Sequence, residues 1–110
     1  MPTFIVTAKL PEKALAGYLM KPEDRSGPLG DLVAAAGGDL KALYYTTGDI
    51  DFLMVIEAEG PEIIARALLV AGGAGMITDA NTRRAWTGEE YAEIVEDAAA
   101  MTGSYSEPGT

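Results

Sequence analysis

LYYTTGDIDFLMVIEAE, residues Leu43–Glu59, is the stretch that decides the fold. It contains two β-rich runs on either side of Gly48-Asp49, and a Gly-Asp pair between strands predicts a tight type II′ hairpin turn. The second run is apolar from Phe52 to Ile56, so both faces of that strand are apolar, because side chains alternate across a strand. Such a strand needs cover on both faces. A chain of 110 residues can supply helices for one face, and we expect a second copy to cover the other.

The segment before this hairpin predicts a strand and an interrupted helix. Thr3–Lys9 is β-rich, and a helical pattern begins at Pro11. Proline and glycine break that pattern in MKPEDRSG, Met20–Gly27, and Gly37-Gly38 ends the second part of the helix. A polar, charged interruption of this kind often lies over a cleft. The apolar face predicted for the first part consists of Ala14, Leu15, Tyr18 and Leu19.

The segment after the hairpin predicts a helix from Gly60-Pro61, a polar edge strand at Met76–Trp86 and a last helix. That helix begins with a T-x-x-E capping box at Thr87–Glu90. The order β-α-β-β-α-β forms a four-stranded antiparallel sheet with helices on one face. We therefore predict an α+β, ferredoxin-like domain over residues 1–103 with a C-terminal helix, two copies stacking as a dimeric α/β barrel, and a disordered tail at 104–110. The apolar face predicted for the last helix consists of Tyr91, Ile94, Val95 and Ala98.

Composition excludes several classes of function. The net charge of −9 repels phosphate backbones and anionic lipids, so no nucleic-acid or membrane partner is expected. The chain has no cysteine and no histidine, which excludes disulfides, thiolate or imidazole metal sites and histidine-dependent triads. We expect no metal and no cofactor. No signal peptide and no apolar run of about 18–20 residues is visible, which predicts a cytoplasmic location.

Asp51 is the candidate catalytic residue. A carboxylate beside an apolar sheet surface can act as a general base when its surroundings raise its pKa. The alternative is structural, because Asp and Asn near turns commonly accept hydrogen bonds from the backbone and so brace a hairpin.

The candidate ligand-binding residues are drawn from the helix break and from aromatic positions on the strands. Arg25 could bind a carboxylate in bidentate fashion, or form a surface ion pair with a neighbouring acid. Tyr44 and Tyr45 face opposite sides of their strand, so one of them faces the helices. Trp86 could line a pocket or anchor the core or an interface. The predicted lining of a pocket between the sheet and the interrupted helix is Tyr18, Met20, Arg25, Tyr44, Asp51 and Trp86.

Several segments together resemble the GYD-domain family, small bacterial proteins of ferredoxin-like, dimeric α/β-barrel type. They are MPTFIVTAK, KPEDR, YYTTGDIDFLMVIEAE and NTRRAWTGEEY, and the resemblance extends from about Pro2 to Ala99. The family is named for a Gly-x-Tyr-Asp signature, which here becomes Gly48-Asp49-Ile50-Asp51. Isoleucine replaces the tyrosine, so any role of that hydroxyl is absent. The resemblance implies the fold and defines no reaction.

Three functions follow from these features. The first is a homo-oligomeric protein that binds a small molecule. The second is a cofactor-independent enzyme, similar in shape to isomerases, cyclases and monooxygenases, with Asp51 as general base and Arg25 or Tyr18 binding the developing anion. The third is a structural or regulatory partner protein that uses the apolar sheet face as its interaction surface.

Overall fold

The computed structural model describes residues 1–109, which contain four strands and four α-helices in the predicted order, with α1 and α2 together forming the interrupted helix. A single turn of 3-10 helix follows the last α-helix, and Thr110 of the predicted tail lies outside the described residues. The elements are β1 Thr3–Lys9, α1 Glu12–Met20, α2 Ser26–Ala36, β2 Asp39–Tyr45, β3 Phe52–Glu57, α3 Pro61–Gly73, β4 Thr78–Ala85 and α4 Gly88–Ala99.

The four strands form one antiparallel sheet in the order β2-β3-β1-β4. The two central strands are β1 and β3. In this order β3 lies between β1 and β2, and β1 lies between β3 and β4. Val6 of β1 lies opposite Met54 of β3, and Phe4 lies opposite Arg84 of β4. This order and register confirm the predicted α+β, ferredoxin-like fold.

One face of the sheet packs against helices and carries the core. The alternation in β3 is clear, since Phe52, Met54 and Ile56 are buried whereas the residues between them are half-buried. Burying such apolar side chains is the main favourable term in folding. The residues of the core cluster are Phe4, Val6, Ala8, Val33, Phe52, Met54, Ile56, Ala58 and Ile64.

The opposite face of the sheet, which we call the open face, receives no buried residue from α4. Its centre is apolar, with half-buried Ile5, Leu53 and Val55 on the two central strands. Its flanks carry more polar side chains. The open face consists of Ile5, Thr7, Ala42, Tyr44, Leu53, Val55, Asn81, Arg83 and Ala85.

The hairpin loop is longer than the predicted two-residue turn. The Thr46 amide donates to the Asp51 carbonyl at 2.8 Å, and its hydroxyl donates to the Ile50 carbonyl at 2.8 Å, so four residues form the loop. The physical reason is that the Asp51 amide donates to the Ala8 carbonyl of β1 at 2.9 Å. That bond draws the chain toward β1 before β3 begins. Gly48 has φ 100°, a conformation that glycine adopts without strain.

The predicted apolar face of α1 is only partly buried. Ala14 is buried and Tyr18 is half-buried, whereas Leu15 is exposed and Leu19 is 82% exposed. Neighbouring helical positions are about 100° apart, so α1 turns one narrow stripe to the sheet and leaves the leucines outside it. The helix is short, with nine residues, and ends at Met20.

The capping box that opens α4 is present as predicted. The Thr87 hydroxyl oxygen accepts from the Glu90 amide at 3.0 Å, and a Glu90 carboxylate oxygen accepts from the Thr87 amide at 2.8 Å. The bond from the Thr87 backbone lowers the pKa of the Glu90 carboxyl below its usual value. Within residues 1–109, no helix combines the length and the apolar character required to cross a bilayer.

Candidate functional site

The break between α1 and α2 builds one wall of the candidate site. The Lys21 amide donates to the Gly17 carbonyl at 3.1 Å and closes α1. Asp24 then accepts a hydrogen bond from the Ser26 amide at 2.8 Å. Hydrogen bonding from the Ser26 side chain, and then from its amide, lowers the pKa of the Asp24 carboxyl. The Arg25 carbonyl accepts from the Leu29 amide at 3.0 Å, the first bond of α2. These bonds hold Arg25 at the start of α2, over one end of the sheet.

An apolar pocket of about 40 Å³ lies between this break and the end of the sheet. Three polar residues, Tyr18, Arg25 and Tyr45, stand among its otherwise apolar walls. A water molecule needs roughly 10–15 Å³ of such space, so the pocket accommodates a small group rather than a whole ligand. The apolar walls are Leu10, Ala14, Leu29, Phe52, Ala71, Met76 and Ile77.

Two tyrosines form a pair at this pocket. The hydroxyls of Tyr18 and Tyr45 are hydrogen-bonded at 2.8 Å, and their rings meet edge to face with centroids 5.9 Å apart. The Tyr45 ring also contacts Phe52, with centroids 6.2 Å apart. Burial, and then the hydrogen bond to Tyr18, raise the pKa of the Tyr45 hydroxyl well above its usual value. Tyr45 therefore stays neutral near pH 7.

A wider cleft of about 250 Å³ adjoins the pocket and shares Ala14, Tyr18, Arg25 and Met76 with it. Its outer rim carries two cations and one carboxylate, Lys21, Arg25 and Glu23. Glu23 lies 2.8 Å from an Arg25 guanidinium nitrogen and 3.6 Å from the Lys21 ammonium. The hydrogen bond from Arg25, and then the charge of Lys21, lower the pKa of Glu23. The exposed Glu23 carboxylate thus forms ion pairs with both cations of the cleft.

Asp51 supports the wall of the pocket through one hydrogen bond. Its carboxylate accepts a hydrogen bond from the Leu10 amide at 2.7 Å, and Leu10 lines the pocket. The contact joins the hairpin to the segment that leads into α1, which is the bracing geometry. The prediction that Asp51 lines the pocket is wrong, because its carboxylate is bonded to the Leu10 backbone and it is not among the lining residues. Its role as general base stays a prediction.

Three of the predicted ligand residues lie away from this pocket. Met20 ends α1 and is 88% exposed. Tyr44 is 63% exposed on the open face, because it pairs with Leu53 there. Trp86 follows the far end of β4, where it is 46% exposed and contacts Tyr91, with ring centroids 6.5 Å apart. The structure therefore brings together Tyr18 and Arg25 from the predicted set.

Tyr45 is the site residue that the sequence analysis left undecided. A register shift between Leu40 and Ala42 places Leu40, Leu43 and Tyr45 all on the helix side of β2. Such a bulge reverses the alternation expected from the first half of a strand. One feature could have indicated that Tyr45 faces the helices. It pairs across the hairpin with Phe52, the first buried residue of β3, and paired residues face the same side of a sheet.

A cation site is a further possibility for an acidic chain. Among residues 1–109, no group of three or more acidic side chains is placed to hold a metal ion. The acidic residues of α4 follow the helix surface without converging on one point. The chemistry that the site offers is thus apolar contact, hydroxyl hydrogen bonding and cationic binding of an anion.

Comparison with known protein families shows to which family the chain belongs. The GYD domain model matches residues 4–95. The chain belongs to the GYD domain family. This match covers the sheet, the helix break and most of α4, so the candidate site lies wholly within the family domain. No curated protein matches this sequence.

Solved structures show similarity at the level of the fold. MtbAldR matches with a TM-score of 0.51 and 13% identity over 78% of this GYD-domain chain. The GYD-domain chain covers 53% of MtbAldR, about half its length. FFRP-DM1 matches with a TM-score of 0.48 and 12% identity, covering 78% of this chain and 100% of that one. A protein from Thermus thermophilus matches with a TM-score of 0.44 and 17% identity, covering 80% of this chain and 96% of that one.

Proposed function

We propose that this GYD-domain protein is a homo-oligomer that binds a small molecule with a compact apolar part and a carboxylate or similar anionic group. One observation carries the proposal, namely the position of Arg25 beside the Tyr18–Tyr45 hydroxyl pair at the mouth of an apolar pocket. Ligand sites typically combine apolar walls with a few polar groups that fix orientation. Here the polar groups converge from α1, α2 and β2.

The anionic group of the ligand is matched by the cations of the cleft. A guanidinium binds a carboxylate through two parallel hydrogen bonds. Glu23 already accepts one hydrogen bond from the Arg25 guanidinium, and Lys21 adds a second positive charge. Because this ion pair is exposed, it contributes little to stability. A ligand carboxylate would take the place of the Glu23 carboxylate at small cost.

The apolar part of the ligand is matched by the pocket. About 40 Å³ admits only a small group, whereas the adjoining cleft of about 250 Å³ holds the body of a compact molecule. The Tyr18 and Tyr45 hydroxyls at the pocket can donate and accept hydrogen bonds to a polar group of the ligand. These features favour a small carboxylate over a nucleotide or a long lipid.

The open face supports the homo-oligomer. Ile5, Leu53 and Val55 form an apolar centre that the helices packed on the other face cannot reach. Apolar patches of this kind on a small domain usually mark an interaction surface. Since closed symmetric homo-oligomers are the commonest assemblies of soluble chains, a second copy is the expected partner.

The experiment that tests the site is a titration with benzoate as the probe and benzamide as its neutral counterpart. Chemical shifts of the Arg25 side chain and of the tyrosine rings report binding. We expect benzoate to perturb Arg25, Tyr18 and Tyr45, and Arg25→Gln to weaken binding at least about tenfold. Arg66→Gln is the matched control, because Arg66 donates to the Ala36 carbonyl and lies outside the pocket.

A second measurement tests the ligand and the assembly together. Native mass spectrometry of the protein purified from its own host reports the subunit count and any retained molecule. A dimer or larger oligomer with a consistent added mass supports both parts. A monomer, or benzoate and benzamide shifts that are equal and insensitive to Arg25→Gln, would overturn the corresponding part.

A further inference from the structure

We propose that α4 is an exchanged arm, a helix that packs on the open face of a second copy of this chain, along the β4 side of that face. The apolar stripe of α4 would contact Ile5 and Ala85 of the second copy, with Asp97 beside its Arg83. The inference rests on the homo-oligomer proposed above and is independent of the ligand. Here the apolar stripe means Tyr91, Ile94, Val95 and Ala98.

The first observation is that α4 buries none of its residues against its own chain. The helix spans 12 residues and none of them is buried. The stripe residues Tyr91, Ile94 and Val95 are between 41% and 54% exposed. A helix of this length is marginal alone in water, and most helical stability comes from packing of an apolar face. The stripe therefore indicates a partner.

The shape of the protomer supports the same conclusion. Its radius of gyration is 18.0 Å and its longest dimension 62 Å. A compact chain of this length has a radius of gyration of about 13 Å. The protomer exposes 7353 Å². A monomer of its mass exposes about 5,800 Å², so the excess is about 1,500 Å². A standard interface buries about 800 Å² on each partner, so the excess is enough for a stable dimer.

The connection between β4 and α4 indicates which surface is covered. Only Trp86 and Thr87 separate the two elements. Consider a two-fold dimer in which the open faces of the two copies contact each other along their β4 edges. Because α4 follows β4 so closely, each α4 would then begin next to the β4 strand of the other copy. The helix is about 18 Å long, and β4 spans about 26 Å, so the arm fits along the strand.

Charge complementarity favours a copy of the same chain as the occupant. Arg83 lies on the open face and donates to the Thr7 hydroxyl at 3.1 Å, and within residues 1–109 it forms no ion pair. Asp97 borders the stripe, three residues after Ile94, and likewise forms no ion pair in the described part of the chain. An acidic helix thus meets a cation that lacks a carboxylate partner.

The test is sedimentation equilibrium of variants in the stripe. Ile94→Gln with Val95→Gln removes apolar surface and keeps helix propensity. We expect this variant to raise the dimer dissociation constant at least about tenfold. The matched control is Glu93→Gln with Glu96→Gln on the opposite side of α4, expected to stay within about twofold of the wild type. Because α4 contributes no buried residue, circular dichroism should show that the sheet and the other helices stay folded in both.

A charge-exchange series identifies the surface. Asp97→Arg and Arg83→Asp should each weaken the dimer, and the two together should restore it, since each subunit then carries the reversed pair. A wild-type monomer would overturn the homo-oligomer and this inference together. A dimer that tolerates the stripe variant, or charge reversals that do not compensate, would overturn the arm alone and leave the homo-oligomer standing.

Discussion

Asp51 joins two parts of the protein that are 41 residues apart, through the hydrogen bond from the Leu10 amide. Hydrogen bonds to charged acceptors contribute more than neutral ones, and leaving the donor without a partner adds a desolvation cost. Asp51 lies in the hairpin and also contacts Leu10, a residue of the pocket wall. At the residue scale, therefore, Asp51 contacts the wall of the pocket through the Leu10 backbone.

The first prediction concerns this contact. Asp51→Ala should lower the free energy of unfolding by about 1–2 kcal/mol, because the Leu10 amide loses its acceptor. Asp51→Asn keeps an acceptor oxygen and should cost less. Urea denaturation followed by circular dichroism measures both. Equal stability of the alanine variant and the wild type would show that the contact contributes nothing.

The second prediction concerns the pH dependence at Tyr45. The raised pKa means that the folded protein keeps this proton at a pH where the unfolded chain, with an ordinary pKa near about 10, releases it. The stabilisation is fully present below about pH 10 and is lost as pH rises further. Tyr45→Phe should therefore flatten the decline in stability above about pH 10.

The measurement is a series of urea denaturations across alkaline pH, with Tyr44→Phe as the matched control. Tyr44 lies on the open face, one residue away, so its variant should keep the wild-type decline. If the wild type, Tyr44→Phe and Tyr45→Phe all decline in parallel, the raised pKa of Tyr45 makes no contribution to stability.

At the scale of elements, α2 shows how a helix end is specified. Gly37 follows the helix with φ 106°, and its amide donates to the Ala34 carbonyl at 3.0 Å. This left-handed conformation is strained for residues with a Cβ atom. Gly30, in contrast, lies inside the same helix, and an added Cβ would meet only Leu40 at 3.9 Å, an ordinary contact.

The third prediction compares these two glycines. Gly37→Ala should destabilise the protein by about 1 kcal/mol, because alanine disfavours positive φ. Gly30→Ala should stabilise it by roughly 0.5–1 kcal/mol, because alanine has the higher helix propensity. Thermal and urea denaturation report both values. Changes of the same sign would contradict the assignment of the helix end.

Secondary structure was the level at which the sequence was most informative. The Thr87–Glu90 capping box and the break in MKPEDRSG both predicted element boundaries that the structure contains. The hairpin was less predictable. Its loop is lengthened by the bond between the Asp51 amide and the Ala8 carbonyl, and a local Gly-Asp pattern carries no information about a strand roughly 40 residues earlier.

At the scale of the whole molecule, two neighbouring residues of β3 face opposite sides of the sheet, one toward the core and the other toward the open face. Met54 is buried in the core, whereas Val55 points to the open face. The two side chains are similar in chemistry, and the alternation of the strand gives them different partners. Only the first is required for packing within the protomer.

The fourth prediction uses this pair. Val55→Lys should dissociate the proposed homo-oligomer and keep most of the secondary structure, because in that proposal its partner lies in another copy. Met54→Lys should unfold the protomer, since a charge buried without a partner costs several kcal/mol. Analytical ultracentrifugation and circular dichroism measure the two effects. An oligomeric Val55→Lys variant would place the subunit contact elsewhere.

The amino-acid sequence by itself determined the element order, the sheet with helices on one face, the apolar second face and the positions of Tyr18 and Arg25 on either side of the helix break. These follow from local periodicity, turn residues and proline positions. Only the tertiary structure decided that Tyr45 rather than Tyr44 lines the pocket, and that Trp86 and Met20 lie outside it. The reason is physical: a bulge at Lys41 reverses the faces of β2, and Trp86 is carried to the far end of β4. Neither effect depends on the residues near the site alone, because strand register is set by pairing across the sheet.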